Sequence, residues 1–359
     1  MEKIKKITEN PYPIYIGEIN EFDFEQFLHI IKTFSQIVII VDEHTKLHCL
    51  PKLISIRSFR RAKILEIKSG EASKSIQTAI EILETFTDFN LDRNSLIVNL
   101  GGGVISDLGG FVASIFKRGL HYINIPTTLL AMIDASIGGK TGVNLKGYKN
   151  QLGIFSDPEV VFIDTVFLET LPKRELIAGF AEIIKYALIM DPILWDMLLK
   201  IKPQNILENS EIIKRAVYIK SNIVNTDPFE KDIRKILNYG HTIAHAIESF
   251  SLANDENPLL HGEAVAIGLI CETYISVKIN GFDENKAVII YNYIRSLFTP
   301  YIINPQNIPA LLVIIKQDKK NKNKKLNFTL ITEIGKSLID NDCDEKLIEE
   351  SILFYSNMY

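Results

Sequence analysis

The chain has 359 residues, 47% of them hydrophobic and 23% charged, which is ample apolar material for a buried core and, at this length, points to two domains. Forty Lys plus Arg against forty-four Asp plus Glu leave a net charge of -4, so neither a nucleic acid nor an anionic membrane is the expected partner. Cys49, Cys271 and Cys343 are odd in number and in no CxxC spacing, which points to neither a disulfide framework nor a thiolate zinc site and fits a reducing cytoplasm.

The N-terminal MEKIKKITENP is polar from its first turn and has no apolar h-region, so no secretory signal is expected and the chain reads as cytoplasmic. Short β-branched runs follow: IVIIVDE (37–43), AKILEI (62–67), SLIVNLGGG (95–103), HYINIPT (121–127) and VVFIDT (160–165). Helical patterns lie between them, such as SKSIQTAIEILETF, where Ile76, Ile80, Ile82 and Leu83 are spaced for one buried face. Alternating strand and helix with near-continuous apolar strands predicts a Rossmann-like parallel sheet covered on both sides. The stretch 95–116 is the most membrane-like, but Asn99, Asp107 and five glycines would be costly in lipid, and it reads as core.

From Leu176 onward ELIAGFAEIIKYALIM, SEIIKRAVYIKSNIVN, HTIAHAIESF, EAVAIGLICETYISVKI and NKAVIIYNYIRSL carry helical periodicity and few strand signals. The prediction is an α/β domain over 1–175 and a mainly helical domain over 176–359, divided near Pro172, with ligands in the cleft between them. The basic stretch KQDKKNKNKKLNF (316–328) reads as a solvated loop.

Three constellations can carry chemistry. NLGGGVISDLGG follows a strand and opens a helix, so its N–H groups can approach a phosphate at the positive helix end. It fits G-x-G-x-x-G only loosely, since Ser106 stands at the third glycine position, and a tight packing turn explains it equally well. Asp42 and Glu43 end the first long strand, where carboxylates point toward a ligand cleft or simply form a turn. Glu182 and Lys185 are three apart on an apolar helix, which as an isolated pair reads as a partly exposed ion pair. His241 and His245 are four apart, with Thr242 where a zinc protease has glutamate. Adding His261 and a glutamate such as Glu182 makes a His/His/Glu set with one position open, the pattern of catalytic zinc.

The segments GGGVISD, KRGLHYINIPTTLLAMIDASIGGKTGVN, KNQLGIF, LPKRELIAGFAEIIKYALI, RKILNYGHTIAHAIE and LLHGEAVAIG together resemble the 3-dehydroquinate synthase family, from about Asp42 to about Lys325. The resemblance implies conversion of 3-deoxy-D-arabino-heptulosonate 7-phosphate to 3-dehydroquinate and phosphate in the shikimate pathway. It implies NAD used catalytically and a divalent metal, zinc first and cobalt second. The implied steps are transient oxidation, β-elimination, reduction and an intramolecular aldol closure.

Carried over by residue, the resemblance makes Glu182, His241 and His261 the metal ligands and His245 a proton-transfer residue beside them. It places Lys140, Lys185, Lys220, Arg234 and Asn238 around the anionic substrate, Asp134 near the reacting end and Glu230 as proton acceptor. Arg118 corresponds to an arginine supplied by a neighbouring subunit, which implies a homodimer. A lysine among Lys319, Lys320 and Lys325 is expected to contribute as well. For NAD the resemblance assigns Asp42 to the adenosine ribose, Glu71 and Lys74 to an adjoining loop, and Gly101, Gly102, Gly103, Val104 and Asp107 to the pyrophosphate turn. Thr127, Thr128 and Lys149 complete that set. GEASK, Ser106 and Ala244 depart modestly from the family pattern. The competing readings are a cyclase of the 2-deoxy-scyllo-inosose or valiolone type and an NAD- and metal-dependent polyol dehydrogenase.

Overall fold

Five of the β-branched runs become strands, and their order in the sheet sets where the glycine turn lies. The structure, a computed structural model, describes residues 4–8, 11–145, 148–318 and 326–359. The strands are β1 (Ile4–Thr8), β2 (Ile14–Gly17), β3 (Ile37–Asp42), β4 (Lys63–Ile67), β5 (Leu96–Gly101), β6 (His121–Pro126), β7 (Lys140–Leu145), β8 (Tyr148–Phe155), β9 (Val161–Ile163), β10 (Leu326–Glu333) and β11 (Lys336–Cys343). The helices are α1 (Phe24–Ile31), α2 (Glu43–His48), α3 (Leu50–Ser55), α4 (Ile76–Asp88), α5 (Gly103–Ile115), α6 (Lys173–Met190), α7 (Pro192–Leu198), α8 (Ser210–Thr226), α9 (His241–Asn254), α10 (His261–Asn280), α11 (Glu284–Leu297), α12 (Ile308–Asp318) and α13 (Glu345–Ser356).

The chain forms two compact units, Met1–Pro172 with Leu207–Asn225 and Lys173–Ile206 with Thr226–Tyr359. This differs from the expected division at 175/176: the first break falls after Pro172, and Leu207–Asn225, which holds α8 apart from its last residue, belongs to the first unit. In that unit one sheet has the order β1-β2-β9-β6-β5-β3-β4. Only β1 runs antiparallel to its neighbour. Every residue of β5 is buried, as expected of a central parallel strand covered on both faces. Val38 and Ile40 of β3 join Ile82 and Phe86 of α4 and Ile105 and Leu108 of α5 in one apolar cluster. The buried face of α4 is Ala79, Ile82 and Phe86, whereas Ile80, expected inside, is 41% exposed. The i, i+3, i+7 stripe runs through Ala79 instead, because Ile80 lies about 100° further round the helix.

The paired Asn99 and Asn124 lie opposite each other on β5 and β6. Asn99 donates to Asn124 Oδ1 at 2.9 Å, and Asn124 donates to the Ser136 carbonyl at 3.3 Å. That chain of buried amides ties the central sheet to the short π-helical turn Ala131–Ala135, which carries Asp134.

The second unit is largely helical and also holds the antiparallel hairpin β10–β11, which the helical reading of that half omitted. The expected combination of a parallel-sheet domain and a mostly helical domain is therefore found, with an antiparallel hairpin added in each unit, β7–β8 in the first and β10–β11 in the second. Glycines decide how closely the helices approach: a Cβ on Gly262 of α10 would lie 1.8 Å from the Ala178 carbonyl oxygen of α6. One on Gly268 would lie 1.8 Å from the Gly240 carbonyl oxygen, just before α9. Those two contacts let α10 bring α6 and the start of α9 together. Among the described residues no helix is long and apolar enough to cross a membrane, and the apolar stretch 95–116 forms β5 and α5.

Candidate metal and nucleotide sites

Helices α6, α9 and α10 contribute Glu182, His241 and His261, whose ligand atoms all lie within 4.8 Å of one another. Glu182 is fully buried, and its Oε2 is ion-paired with Lys185 of the same helix. The imidazoles present Nε2 to the same oxygen, His241 at 3.3 Å and His261 at 3.4 Å from Glu182 Oε1. Their other nitrogens are held from behind: His241 Nδ1 is 3.1 Å from the Tyr239 carbonyl and His261 Nδ1 is 3.2 Å from Glu248 Oε2. Such backing fixes ring orientation in metal-ligating histidines. A buried carboxylate is costly; Lys185 offsets part of that cost at Oε2, and a cation between these three groups would offset more of it at Oε1.

Electrostatics separates the three groups. Burial works to raise the Glu182 carboxyl, but the Lys185 ammonium and the two imidazoles outweigh it and hold the group well below the usual carboxylate range. Burial and then Lys185 lower His241 to about 4, so its imidazole is neutral, the form that ligates. His261 is pushed up to about 10 against burial, first by Glu248 and then by Glu182, and ligation there displaces a proton. His245, one turn along α9, has its ring centroid 5.4 Å from that of His241 and 6.3 Å from that of His261.

Lys185 is buried with Glu182 in an ion pair and lies over the Tyr186 ring at 5.1 Å. The partly exposed pair expected from the sequence is thus a buried one, because α6 is enclosed from Ala178 to Ile189. Glu230, Arg234 and Asn238 come together ahead of α9: Asn238 donates to Glu230 Oε1 at 3.0 Å, and Arg234 donates to the Pro228 carbonyl at 2.5 Å. Asp227 organises that segment by accepting the backbone N–H groups of Lys231, Asp232 and Arg234.

In the first unit the glycine turn leads into α5 with Gly102 at its N-cap and no side-chain cap, which leaves the positive helix end for an anion. Gly102 lies against Thr128, where a Cβ would meet Cγ2 at 3.0 Å, and Gly103 lies against Ala135 at 3.2 Å. Ser106 does not obstruct the turn, since its hydroxyl donates back to the Gly102 carbonyl. Val104 is in the first turn and half-buried. Asp107 pairs with the buried Lys74, which also donates to Asn150 Oδ1 at 2.5 Å. Burial raises the Asp107 carboxyl although Lys74 opposes this. Glu71 accepts from Asn144 at 2.8 Å and has Lys149 at 3.9 Å. The Thr127 N–H donates to the Gly101 carbonyl. Asp42 closes β3 and caps α2, accepting the Thr45 N–H at 2.7 Å, so its turn-forming role is present whatever else it does. Lys220 meets Asp134 at 2.7 Å. Lys140 is exposed at the start of β7, and Arg118 is exposed in a turn where it and Lys117 both have positive φ. Lys319, Lys320 and Lys325 lie outside the described residues.

Sequence reasoning left out Glu248, Asp227 and Glu272. Glu248 is seven residues after His241 and so on the same helix face, and Glu272 is an acid in the otherwise apolar GEAVAIGLICETYI; both signals were visible. Asp227 had no such mark.

The fold, a parallel-sheet unit with an open glycine-rich helix start and a largely helical unit, is that of solved sugar-phosphate cyclases and of dehydrogenases that share their architecture. The solved 2-deoxy-scyllo-inosose synthase complexed with carbaglucose-6-phosphate, NAD+ and Co2+ is similar at a TM-score of 0.80 and 26% identity, covering 97% of this chain and 99% of that one. The 2-epi-5-epi-valiolone synthase of Streptomyces hygroscopicus with NAD+ and Zn2+ bound is similar at 0.83 and 26%, covering 98% of each. An iron-containing alcohol dehydrogenase at 0.67 and 14% identity, covering 97% of this chain and 98% of that one, shares the fold alone. Residues 64–178 match the family model for the 3-dehydroquinate synthase N-terminal region and residues 179–321 the one for its C-terminal region. Curated 3-dehydroquinate synthases are 39% identical, that of Parabacteroides distasonis over 94% of this chain and 96% of its own length, and that of Campylobacter jejuni over 95% and 96%. The chain belongs to the 3-dehydroquinate synthase family, a family of enzymes.

Proposed function

We propose that this chain closes 3-deoxy-D-arabino-heptulosonate 7-phosphate to 3-dehydroquinate with release of phosphate. The observation that carries the reading is the convergence of the buried Glu182 carboxylate with the Nε2 atoms of His241 and His261, in a chain 39% identical to curated 3-dehydroquinate synthases. Glu182, His241 and His261 would hold a divalent metal, zinc or cobalt. The turn Gly101 to Asp107 with Asp42, Glu71, Lys74, Thr127, Thr128 and Lys149 would hold NAD. Bound, the two supply a reversible oxidation at the C5 alcohol and polarisation of its oxygen.

The chain's own residues supply the rest. Lys140, Lys185, Lys220 and Arg234 are fixed cations for a substrate that carries a carboxylate and a phosphate. Asn238 orients Glu230, whose carboxylate takes up a proton. Asp134 is held by Lys220 near the reacting end. His245 moves a proton from a place beside the ligand set but outside it.

A second reading, ring closure of a different sugar phosphate, is favoured by the 26%-identical neighbours. Incubation with heptulosonate phosphate and, separately, with glucose 6-phosphate distinguishes the two. The expected result is stoichiometric phosphate release from the first only, with catalytic NAD and no net NADH. Turnover of glucose 6-phosphate alone selects the second reading, and steady NADH accumulation selects a dehydrogenase.

Arg118 would serve the site of a second copy. The exposed Ile80 and Ile115 line one shallow surface with Lys117, next to that arginine, and an apolar patch of this kind is suited to association. Light scattering should give the mass of a dimer, and a monomer at assay concentration would refute the shared arginine.

A further inference from the structure

We infer that Glu272 is a positioning residue for His241, an inference that rests on the metal site proposed above. Glu272 is fully buried in α10, where a carboxylate is costly unless its oxygens accept hydrogen bonds. Its partners are backbone N–H groups at the start of α9. Oε2 accepts from Gly240 at 2.7 Å, and Oε1 accepts from Ile243 at 3.3 Å.

The start of α9 needs such a partner. Its N-cap residue is Gly240, in the left-handed region with φ 82°, and it has no side chain to cap the first turn. Glu272 reaches across from another helix to do so, with its negative charge at the positive end of α9. His241 is the first residue of that helix. Two further links fix the same junction. The Tyr239 and Thr273 hydroxyls are 2.6 Å apart, and the Tyr239 carbonyl backs His241 Nδ1 at 3.1 Å. The residue next to Glu272 therefore holds the group that orients the imidazole.

Helix α10 begins with His261, and Glu272 comes eleven residues later, about three turns along the same side. One rigid helix thus carries one imidazole at its first residue and anchors the helix of the other through Glu272. α10 thereby helps to set the distance between the two ligands, together with the Glu248 contact from α9 to His261. Gly268 allows the close approach this requires, because a side chain there would strike the Gly240 carbonyl.

Glu272→Gln keeps the size but turns one acceptor into a donor facing a backbone N–H, so one of the two bonds is lost and the charge is removed. The test compares chelator-stripped wild type, E272Q, S351A and H241A by cobalt titration, by zinc competition against a chromophoric chelator, and by thermal unfolding of the metal-free proteins. Ser351 is fully buried on α13 and donates to the Ile348 carbonyl, so S351A lowers stability in a buried part of the same unit without removing a partner of Tyr239 or Gly240. The expected result is metal affinity about 10- to 100-fold weaker in E272Q, with an altered cobalt absorption envelope, and wild-type affinity and spectrum in S351A. Wild-type affinity and spectrum in E272Q overturn the inference, as does an equal affinity loss in S351A. If E272Q does not fold, E272D decides, since it keeps the charge but shortens the reach to the Gly240 and Ile243 N–H groups: weakened affinity supports the inference and wild-type affinity overturns it. Wild-type metal binding by H241A would instead overturn the metal-site reading itself.

Discussion

His241→Ala is expected to lose tightly held zinc, whereas His245→Ala should keep nearly one zinc per chain and lose activity about 100-fold or more. Both side chains start from the same face of α9, so the difference comes from where their nitrogens lie. His241 Nε2 is 3.3 Å from Glu182 Oε1, and its Nδ1 is held by the Tyr239 carbonyl. Removing it leaves a buried carboxylate and one imidazole, two ligands where a catalytic zinc takes three. His245 adds no atom to the set that converges within 4.8 Å, although its ring is close to both of the others. Its loss removes a group able to carry a proton and leaves the cation's ligands intact. Zinc content by atomic emission, read beside phosphate release, checks both variants. Zinc lost from His245→Ala but retained in His241→Ala would reverse the roles.

The strands were legible because a buried parallel strand has no polar face to disguise it: Leu96 to Gly101 is enclosed throughout and reads as an apolar run broken only by Asn99. The hairpin β10–β11 was not, since the inward residues of β11 include Ser337 and Asn341 while Leu338 faces out, which leaves no apolar alternation in the sequence. The return of α8 to the first unit was illegible for a different reason. Its buried stripe, Ile212, Ile213, Ala216 and Val217 among others, says that a face is covered but not by which element. At the candidate site, the i,i+4 spacing of His241 and His245 marks the imidazoles, but of the two only His241 joins the group that converges with Glu182 and His261. That His241 and His261 turn Nε2 to one Glu182 oxygen depends on backing from Tyr239 and Glu248. Glu182 comes from a helix some sixty residues away in sequence, and its convergence depends on Gly262 and Gly268 admitting close helix contacts, which periodicity does not encode.

Lys185→Met is expected to destabilise the metal-free protein by about 3–5 kcal/mol, the cost of breaking a buried ion pair by removing one partner. Lys185 and Glu182 are both fully enclosed on α6 and paired with each other. Burial alone would raise the Glu182 carboxyl, and the ammonium is the largest influence that opposes it. In the wild type the folded-state value lies below the unfolded one, so this contribution is present above the unfolded carboxylate range and is lost as pH falls through the lower, folded value. Without the ammonium, burial raises the folded value, the carboxyl takes up a proton more readily, and the deficit should be greatest near neutrality and shrink toward acid. A divalent cation held by Glu182, His241 and His261 would supply the missing positive charge. Zinc should therefore stabilise Lys185→Met more than it stabilises the wild type, since ligand binding to the folded state adds to its stability according to affinity. Urea unfolding of stripped and zinc-loaded forms of both proteins measures the effect. A stripped variant as stable as the wild type, or a deficit that zinc leaves unchanged, would show that Lys185 is not the counter-charge that keeps Glu182 ionised in the metal-free protein.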